Sequence, residues 1–217
     1  MSNGGNQVSV RRFAGAVFGL LLAASTASAA VVQVGSVAGL TQGPYTLETF
    51  DDLALVPGVT ASSSGALTLA NLGYAPSFPS GTTGLTTATF PRAITFTFAS
   101  AVSSVGMFFG NDDTCCSGAF SAVLDIFGVG GALGSISVAA NMNDAVDQFI
   151  GFVSDELVTS VSIRYGSGTD VSLYTVVDDL YFNAAPPPSP VPVPAGLPLL
   201  LAALGGLGLA ARRRKAA

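Results

Sequence analysis

The sequence contains no histidine, no tryptophan and only two cysteines, and charged residues make up just 10% of its 217 positions. The lack of histidine excludes Ser-His and Cys-His nucleophilic catalysis and histidine-ligated zinc sites. Low charge combined with 49% hydrophobic residues excludes an acidic disordered tail and a basic nucleic-acid-binding domain. We therefore expect neither enzyme activity nor a nucleic-acid partner.

The few charges are unevenly distributed along the chain. All thirteen acidic residues lie between Glu48 and Asp179, where only Arg92 and Arg164 are basic, so this stretch has a net charge of −11. The other six basic residues lie near the two ends, each group beside an apolar run. This arrangement is typical of segments that direct a chain to a membrane.

The N-terminal segment has the three parts of a secretory signal peptide. Arg11 and Arg12 precede an apolar run over residues 13–24, and Ala27-Ser28-Ala29 forms an A-x-A cleavage pattern. No polar face interrupts the apolar run, as it would in an amphipathic helix. We therefore predict a signal peptide over residues 1–29 and export of the rest of the chain.

The C-terminal segment combines a proline-rich linker, an apolar run and a basic tail. Residues 186–194 are rich in proline, and the 17 residues 195–211 carry no charge. That length is at the lower limit of the roughly 17–25 residues that a membrane-spanning helix needs. Residues 195–217 are thus predicted to be a transmembrane helix with a cytoplasmic stop-transfer tail, Arg212, Arg213, Arg214 and Lys215.

The order of these C-terminal parts also resembles a known sorting signal. Val191-Pro192-Val193-Pro194-Ala195, with the apolar run and basic tail, is similar to the bacterial VPLPA-type and PEP-type C-terminal signals (VPLPA-CTERM and PEP-CTERM). Val193 stands where the VPLPA form has leucine, and the glutamate of the PEP form is absent. The resemblance implies an exosortase substrate of a Gram-negative bacterium. Its precursor would be anchored in the inner membrane, and the mature protein would reach the outer surface or the extracellular matrix.

Residues 30–185 are predicted to form one all-β domain. Segments 94–98, 105–109 and 161–165 alternate apolar and polar residues, which is typical of antiparallel sheets with one wet face. Six further segments read as strands, giving about nine in total: 45–50, 66–70, 120–127, 133–138, 148–153 and 173–182. Many short strands favour an antiparallel β-sandwich, jelly-roll-like in topology.

The last predicted strand contains Val177-Asp178-Asp179-Leu180, which resembles the final strand of jelly-roll carbohydrate-binding-type modules. The resemblances together imply a structural or adhesive role linked to extracellular polysaccharide and biofilm, or, alternatively, a carbohydrate-binding module. Without tryptophan, the aromatic rings for sugar stacking would have to come from phenylalanine or from five tyrosines, Tyr45, Tyr74, Tyr165, Tyr174 and Tyr181. A carbohydrate-active enzyme is a third alternative, in which Glu48 and Glu156, the only glutamates, would form the acid pair.

The two cysteines are adjacent, at Cys115 and Cys116. Export would place them where disulfides persist. However, neighbouring Cα atoms are about 3.8 Å apart, below the usual disulfide range of about 4.4–6.8 Å. A bridge between them and a pair of free or intermolecular thiols both stay open.

Paired aspartates supply the remaining candidate site. Asp51-Asp52 and Asp178-Asp179 lie near opposite ends of the domain and share an Asp-Asp-Leu sequence. Carboxylates without compensating cations suit Ca²⁺, which takes six to eight oxygen ligands. The sequence therefore indicates a structural calcium site at Asp51, Asp52, Asp178 and Asp179, with solvated turn aspartates as the alternative.

Overall fold

A computed structural model of the chain describes residues 31–40, 43–71, 78–89, 92–110, 119–166 and 173–183. The predicted signal peptide, Cys115 and Cys116, the linker, the sorting motif and the basic tail lie outside these residues. The part that is described contains no helix with the length and hydropathy to cross a membrane.

Ten antiparallel strands make up most of the described residues. They are β1 (Val31–Val34), β2 (Thr46–Glu48), β3 (Val59–Ser62), β4 (Leu67–Ala70), β5 (Gly84–Thr87), β6 (Ile94–Phe109), β7 (Ser121–Gly128), β8 (Gly131–Ala139), β9 (Gln148–Tyr165) and β10 (Val176–Phe182). A short 3₁₀ turn, Val37–Gly39, follows β1. The predicted antiparallel β-sandwich is confirmed.

Two long strands, β6 and β9, run through both layers of the sandwich. Their pairing shifts register between Thr97 and Ser104 of β6. On one side of this irregularity the strand order is β4-β5-β10-β6-β9-β1, with β2 also beside β10. On the other side the order is β3-β6-β9-β7-β8. We call these the first and second sheets.

Aromatic side chains from both sheets meet in the core between them. Phe98 of the second sheet packs on Phe182 of the first, with ring centroids 5.3 Å apart. Phe109 and Tyr165 meet in the same way at 6.2 Å. Because the inner faces of both sheets are apolar, stacking them removes these rings from water, which is the main favourable term in folding.

The predicted alternation of side chains is confirmed within the strands. Ile94, Phe96 and Phe98 are buried, while Thr95 and Thr97 lie on the outer face. Two pairs of segments predicted as separate strands are, however, continuous. Polar stretches near residues 99–104 and 154–160 interrupt the apolar pattern, and the pairing of β6 with β9 shifts register there, but each strand continues through its stretch.

Candidate functional site

A β-bulge in β10 sets up the most unusual group of side chains in the described residues. Asp178 pairs with Phe108 of β6 and Tyr181 pairs with Gly106, so β10 carries one extra residue there. Asp179 has a φ of 48°, a left-handed conformation that asparagine and aspartate adopt more readily than most residues. The bulge therefore lets two consecutive aspartates depart from strict strand alternation.

The bulge lies where β10 changes partners on its other edge. Val176 and Val177 pair with β5, whereas Leu180 and the residues after it pair with β2. Asp178 and Asp179 lie between these two pairings and face the turn that precedes β5. On this edge of β10, neither β5 nor β2 pairs with Asp178 or Asp179.

Both carboxylates of the bulge meet at Ser80. The Ser80 amide donates to Asp178 Oδ2 at 3.4 Å, and the Ser80 hydroxyl donates to Asp179 Oδ1 at 2.6 Å. Asp178 is 0% exposed and Asp179 is 5% exposed. Asp178 Oδ1 is buried and has no hydrogen-bond partner. Such an oxygen is rare in folded proteins, because each unpaired buried polar atom costs free energy.

A third carboxylate, that of Asp51, lies on the other side of the same turn. Gly81 follows Ser80 with a φ of 56°, and a Cβ atom built on it would lie 1.9 Å from Asp51 Oδ1. The positive φ favours glycine at this position, and any side chain there would also displace the Asp51 carboxylate. Asp51 also accepts a hydrogen bond from the Thr49 hydroxyl at 2.9 Å. We call Asp51, Asp178, Asp179 and Ser80 the bulge cluster.

Burial is the main cause of the shifted pKa values in and beside the bulge cluster. Burial raises the pKa of Asp178 from 3.8 to about 7, and the charges of Asp179 and Asp51 raise it as well. Hydrogen bonds from the Asp179 and Ser80 amides act in the opposite direction and lower this pKa. Burial, and then the charge of Asp179, also raises the pKa of the Tyr181 phenol. In the described part of the chain, the one salt bridge joins Arg164 to Asp125, on the second sheet.

The structure thus separates the four aspartates predicted as calcium ligands. Asp178 and Asp179 are buried against Ser80, and Asp51 lies beside Gly81 but is exposed. Asp52 is also exposed and accepts a hydrogen bond from the Ala54 amide at 2.7 Å. No three metal-ligating side chains among the described residues converge in a geometry that would hold an ion. Sequence reasoning missed Ser80, because a serine in a turn carries no signal of what it faces.

Glu48 has a structural position beside the bulge cluster. Its Oε1 accepts from the Phe50 amide at 2.9 Å and its Oε2 accepts from the Val56 amide at 2.6 Å. The buried carboxylate therefore holds the loop that carries Asp51. Glu156 is exposed on β9, and β10 and β6 lie between it and β2 in the first sheet.

A cleft of about 350 Å³ opens at the β4 edge of the first sheet. Its walls come from β4, β5 and the residues around the start of β10, and none of its eight lining residues is charged. Its polar lining residues are Thr68, Asn71, Thr86, Thr87 and Tyr174. Thr86 and Thr87 are buried, and their hydroxyls donate to the Thr175 and Thr89 carbonyls. Tyr174 is 41% exposed, so part of its side chain faces solvent at the cleft.

The structure distinguishes the five tyrosines considered for sugar stacking. Tyr165 is buried, with its hydroxyl bonded to main-chain oxygens of Gly110 and Val176. Tyr181 faces Asp179, the Tyr45 hydroxyl donates to the Leu40 carbonyl, and Tyr74 lies outside the described residues. Among those described, Tyr174 alone combines exposure above a third with a place in a cleft.

No protein-family model and no curated protein matches the chain. Three solved structures are similar to it at low identity. A GH87 α-1,3-glucanase catalytic domain in complex with tetrasaccharides is 16% identical, with a TM-score of 0.41 over 70% of this chain and 30% of that one. CsCBM6-3 from Clostridium stercorarium in complex with cellobiose is 16% identical, with a TM-score of 0.37 over 64% of this chain and 94% of that one. A Paenibacillus xanthan lyase is 18% identical, with a TM-score of 0.40 over 65% of this chain and 13% of that one.

This chain thus spans less than a third of the glucanase domain. All three TM-scores are below 0.5, so the assignment of the β-sandwich rests on the strand pairing described above.

Proposed function

We propose that this chain is an exported surface protein that adheres to extracellular polysaccharide, with the Tyr174 cleft as its contact to the glycan. The observation that supports this most is the exposed Tyr174 ring beside threonine and asparagine side chains. An aromatic face stacks on the C–H face of a sugar ring, while amide and hydroxyl groups bond the sugar hydroxyls. The cleft volume of about 350 Å³ lies within the usual range of small-molecule sites, about 300–1,000 Å³.

The charge distribution favours a neutral glycan. None of the cleft residues is charged, and the stretch from Glu48 to Asp179 has a net charge of −11. An anionic polysaccharide would therefore be repelled at long range without a compensating contact at the cleft. We expect binding without turnover, since both oxygens of Glu48 accept main-chain hydrogen bonds.

Variants of Tyr174 test this proposal. In calorimetric titrations with neutral gluco-oligosaccharides, Tyr174→Ala should weaken binding about tenfold, the loss of roughly one ring-stacking contact. Tyr174→Phe keeps the ring and should retain most of the affinity, and Val129→Ala, at an exposed turn far along the chain, should change nothing. Equal affinity of Tyr174→Ala and the unaltered protein would refute the assignment. Release of shorter sugars during the titration would support the enzyme alternative.

Export and sorting complete the proposal. The signal peptide, the motif from Val191 to Ala195 and the tail from Arg212 to Lys215 support delivery by an exosortase from an inner-membrane precursor to the outer surface or matrix. The protein would then work as a structural or adhesive component of a biofilm.

A double substitution separates sorting from export. Pro192→Ala with Pro194→Ala should block removal of the tail while the signal peptide is still cleaved, because the motif is the proposed recognition element. Mass spectrometry of the protein from cells with and without the sorting enzyme measures this. Equal masses in both strains would contradict the sorting proposal and leave the glycan proposal intact.

A further inference from the structure

The β4–β5 hairpin forms part of the Tyr174 cleft, and short main-chain pairing fixes its position. In the described residues β4 pairs only with β5, and β5 pairs with β10 through Leu85 and Thr86. At the end of β5 near the cleft, the Thr86 hydroxyl also donates to the Thr175 carbonyl at 2.9 Å. The hairpin supplies the cleft-lining residues Thr68, Ala70, Thr86 and Thr87. The shape of the cleft therefore depends on how β5 lies against β10.

Side-chain hydrogen bonds hold the other end of β5. Beyond Val177, β5 no longer pairs with β10, and Asp178 and Asp179 have no main-chain partner on this edge. The turn that leads into β5 binds there through Ser80 instead. Its amide donates to Asp178 at 3.4 Å and its hydroxyl donates to Asp179 at 2.6 Å. The shorter bond, from a hydroxyl to a carboxylate, is the stronger of the two.

Burial of the two acceptors makes this attachment costly to release. Asp178 and Asp179 are both more than nine-tenths buried, and a buried carboxylate that loses a donor is destabilised far more than an exposed one. Thr83, between Ser80 and β5, adds a hydrogen bond to the Phe50 carbonyl at 2.9 Å. The turn therefore has one preferred place against β10, and β5 continues directly from it.

We propose that Ser80 is a positioning residue for glycan binding, because its hydrogen bonds to Asp178 and Asp179 set the placement of β5 and so the shape of the Tyr174 cleft. Ser80 itself does not line the cleft. The inference rests on the proposed function, since it takes the cleft as the glycan site.

Calorimetry with neutral gluco-oligosaccharides and the full chain in mild detergent measures the effect on affinity. Ser80→Ala cannot donate to Asp179 and should weaken binding about three- to tenfold, as residues that act on a site through others do. Ser80→Thr keeps the hydroxyl and should retain most of the affinity. Ser135→Ala, at an exposed position of β8 in the second sheet, is the matched control and should bind as the unaltered protein does.

A double-mutant cycle tests whether Ser80 acts through Asp179. Asp179 has a φ of 48°, so glycine removes its carboxylate without straining the backbone. Asp179→Gly should weaken glycan binding about as much as Ser80→Ala, and the two together should weaken it little further, because each removes the same hydrogen bond. Fully additive losses would overturn the assignment to this pair.

Amide hydrogen exchange tests the placement of β5 without any glycan. In Ser80→Ala the amides of β5 should exchange several times faster, while those of β7 and β8 keep their rates. Leu85 is 1% exposed in the core and should keep the hairpin attached, which circular dichroism of each variant checks. Faster exchange with no glycan bound by any variant would refute the glycan assignment and support the control of β5 by Ser80. Unchanged exchange in β5, or faster exchange with unchanged glycan affinity, would overturn the inference.

Discussion

Replacing Asp178 by asparagine should stabilise the protein at alkaline pH. Asparagine has nearly the same shape and keeps an oxygen for the Ser80 amide, but it removes the buried charge whose Oδ1 has no partner. Removing an unpaired buried charge is favourable because the ionised carboxylate loses its hydration on folding.

The magnitude follows from the pKa of Asp178, which burial raises from 3.8 to about 7, with the charges of Asp179 and Asp51 adding to it. Because the folded-state pKa is above the unfolded one, the associated stability is complete below about pH 4 and is lost as pH rises through 7. A tenfold change in the acid dissociation constant corresponds to about 1.4 kcal/mol, so the loss between pH 5 and pH 8 is about 3 kcal/mol. Tyr181, which also faces Asp179, stays neutral over this range.

Urea denaturation in the presence of a chelator measures the effect. At pH 8, Asp178→Asn should be more stable than the unaltered protein by up to about 4 kcal/mol, and the difference should shrink on acidification to pH 5. Asp155→Asn, at an exposed position of β9, should follow the unaltered protein throughout. Equal stability of Asp178→Asn and the unaltered protein at pH 8 in chelator would refute the reasoning.

Three further substitutions test contacts outside the bulge cluster, each by the urea midpoint. Tyr165→Phe should lower the free energy of unfolding by about 1–3 kcal/mol, because the Tyr165 hydroxyl donates to the Val176 carbonyl at 3.0 Å in the core. An unchanged midpoint would mean that water replaces this contact. Gly106→Ala should cost about 1–3 kcal/mol by overpacking, since the new Cβ would lie 2.2 Å from Phe149 Cζ, and the additional substitution of Phe149 by leucine should recover part of the loss. Glu48→Gln should lower the free energy of unfolding by about 1–3 kcal/mol. The carboxylate accepts a main-chain N–H at each of its two oxygens, and the glutamine side chain can accept at only one of these positions. An unchanged midpoint would show that the loop does not depend on both hydrogen bonds.

The alternation of apolar and polar residues determined the layers of the fold. Ile94, Phe96 and Phe98 face the core as their spacing predicts, because a period of two places every second side chain on the same face of a strand. Strands without a strong pattern were not predicted. β3 and β5, with the sequences Val-Thr-Ala-Ser and Gly-Leu-Thr-Thr, are short, and their pairing with distant strands decides their conformation.

The candidate calcium ligands show the limit of local reasoning. Two Asp-Asp pairs look equivalent in sequence, yet the structure buries Asp178 and Asp179 and leaves Asp52 exposed in its own turn. The difference arises from the bulge in β10, whose position depends on where β5 ends and β2 begins along that strand. Pairing over such sequence distances is a tertiary property and leaves no local signal.

By itself, the sequence determined the residue types available for chemistry and the two-faced character of the strands, because composition and periodicity are local properties. Only the tertiary structure decided that Ser80 meets Asp178 and Asp179, which lie about a hundred positions later. It also decided that Tyr174, rather than Tyr165 or Tyr181, is exposed in a cleft. These contacts depend on which strands pair and where each one bends, and that is settled by packing of the whole domain rather than by any one segment.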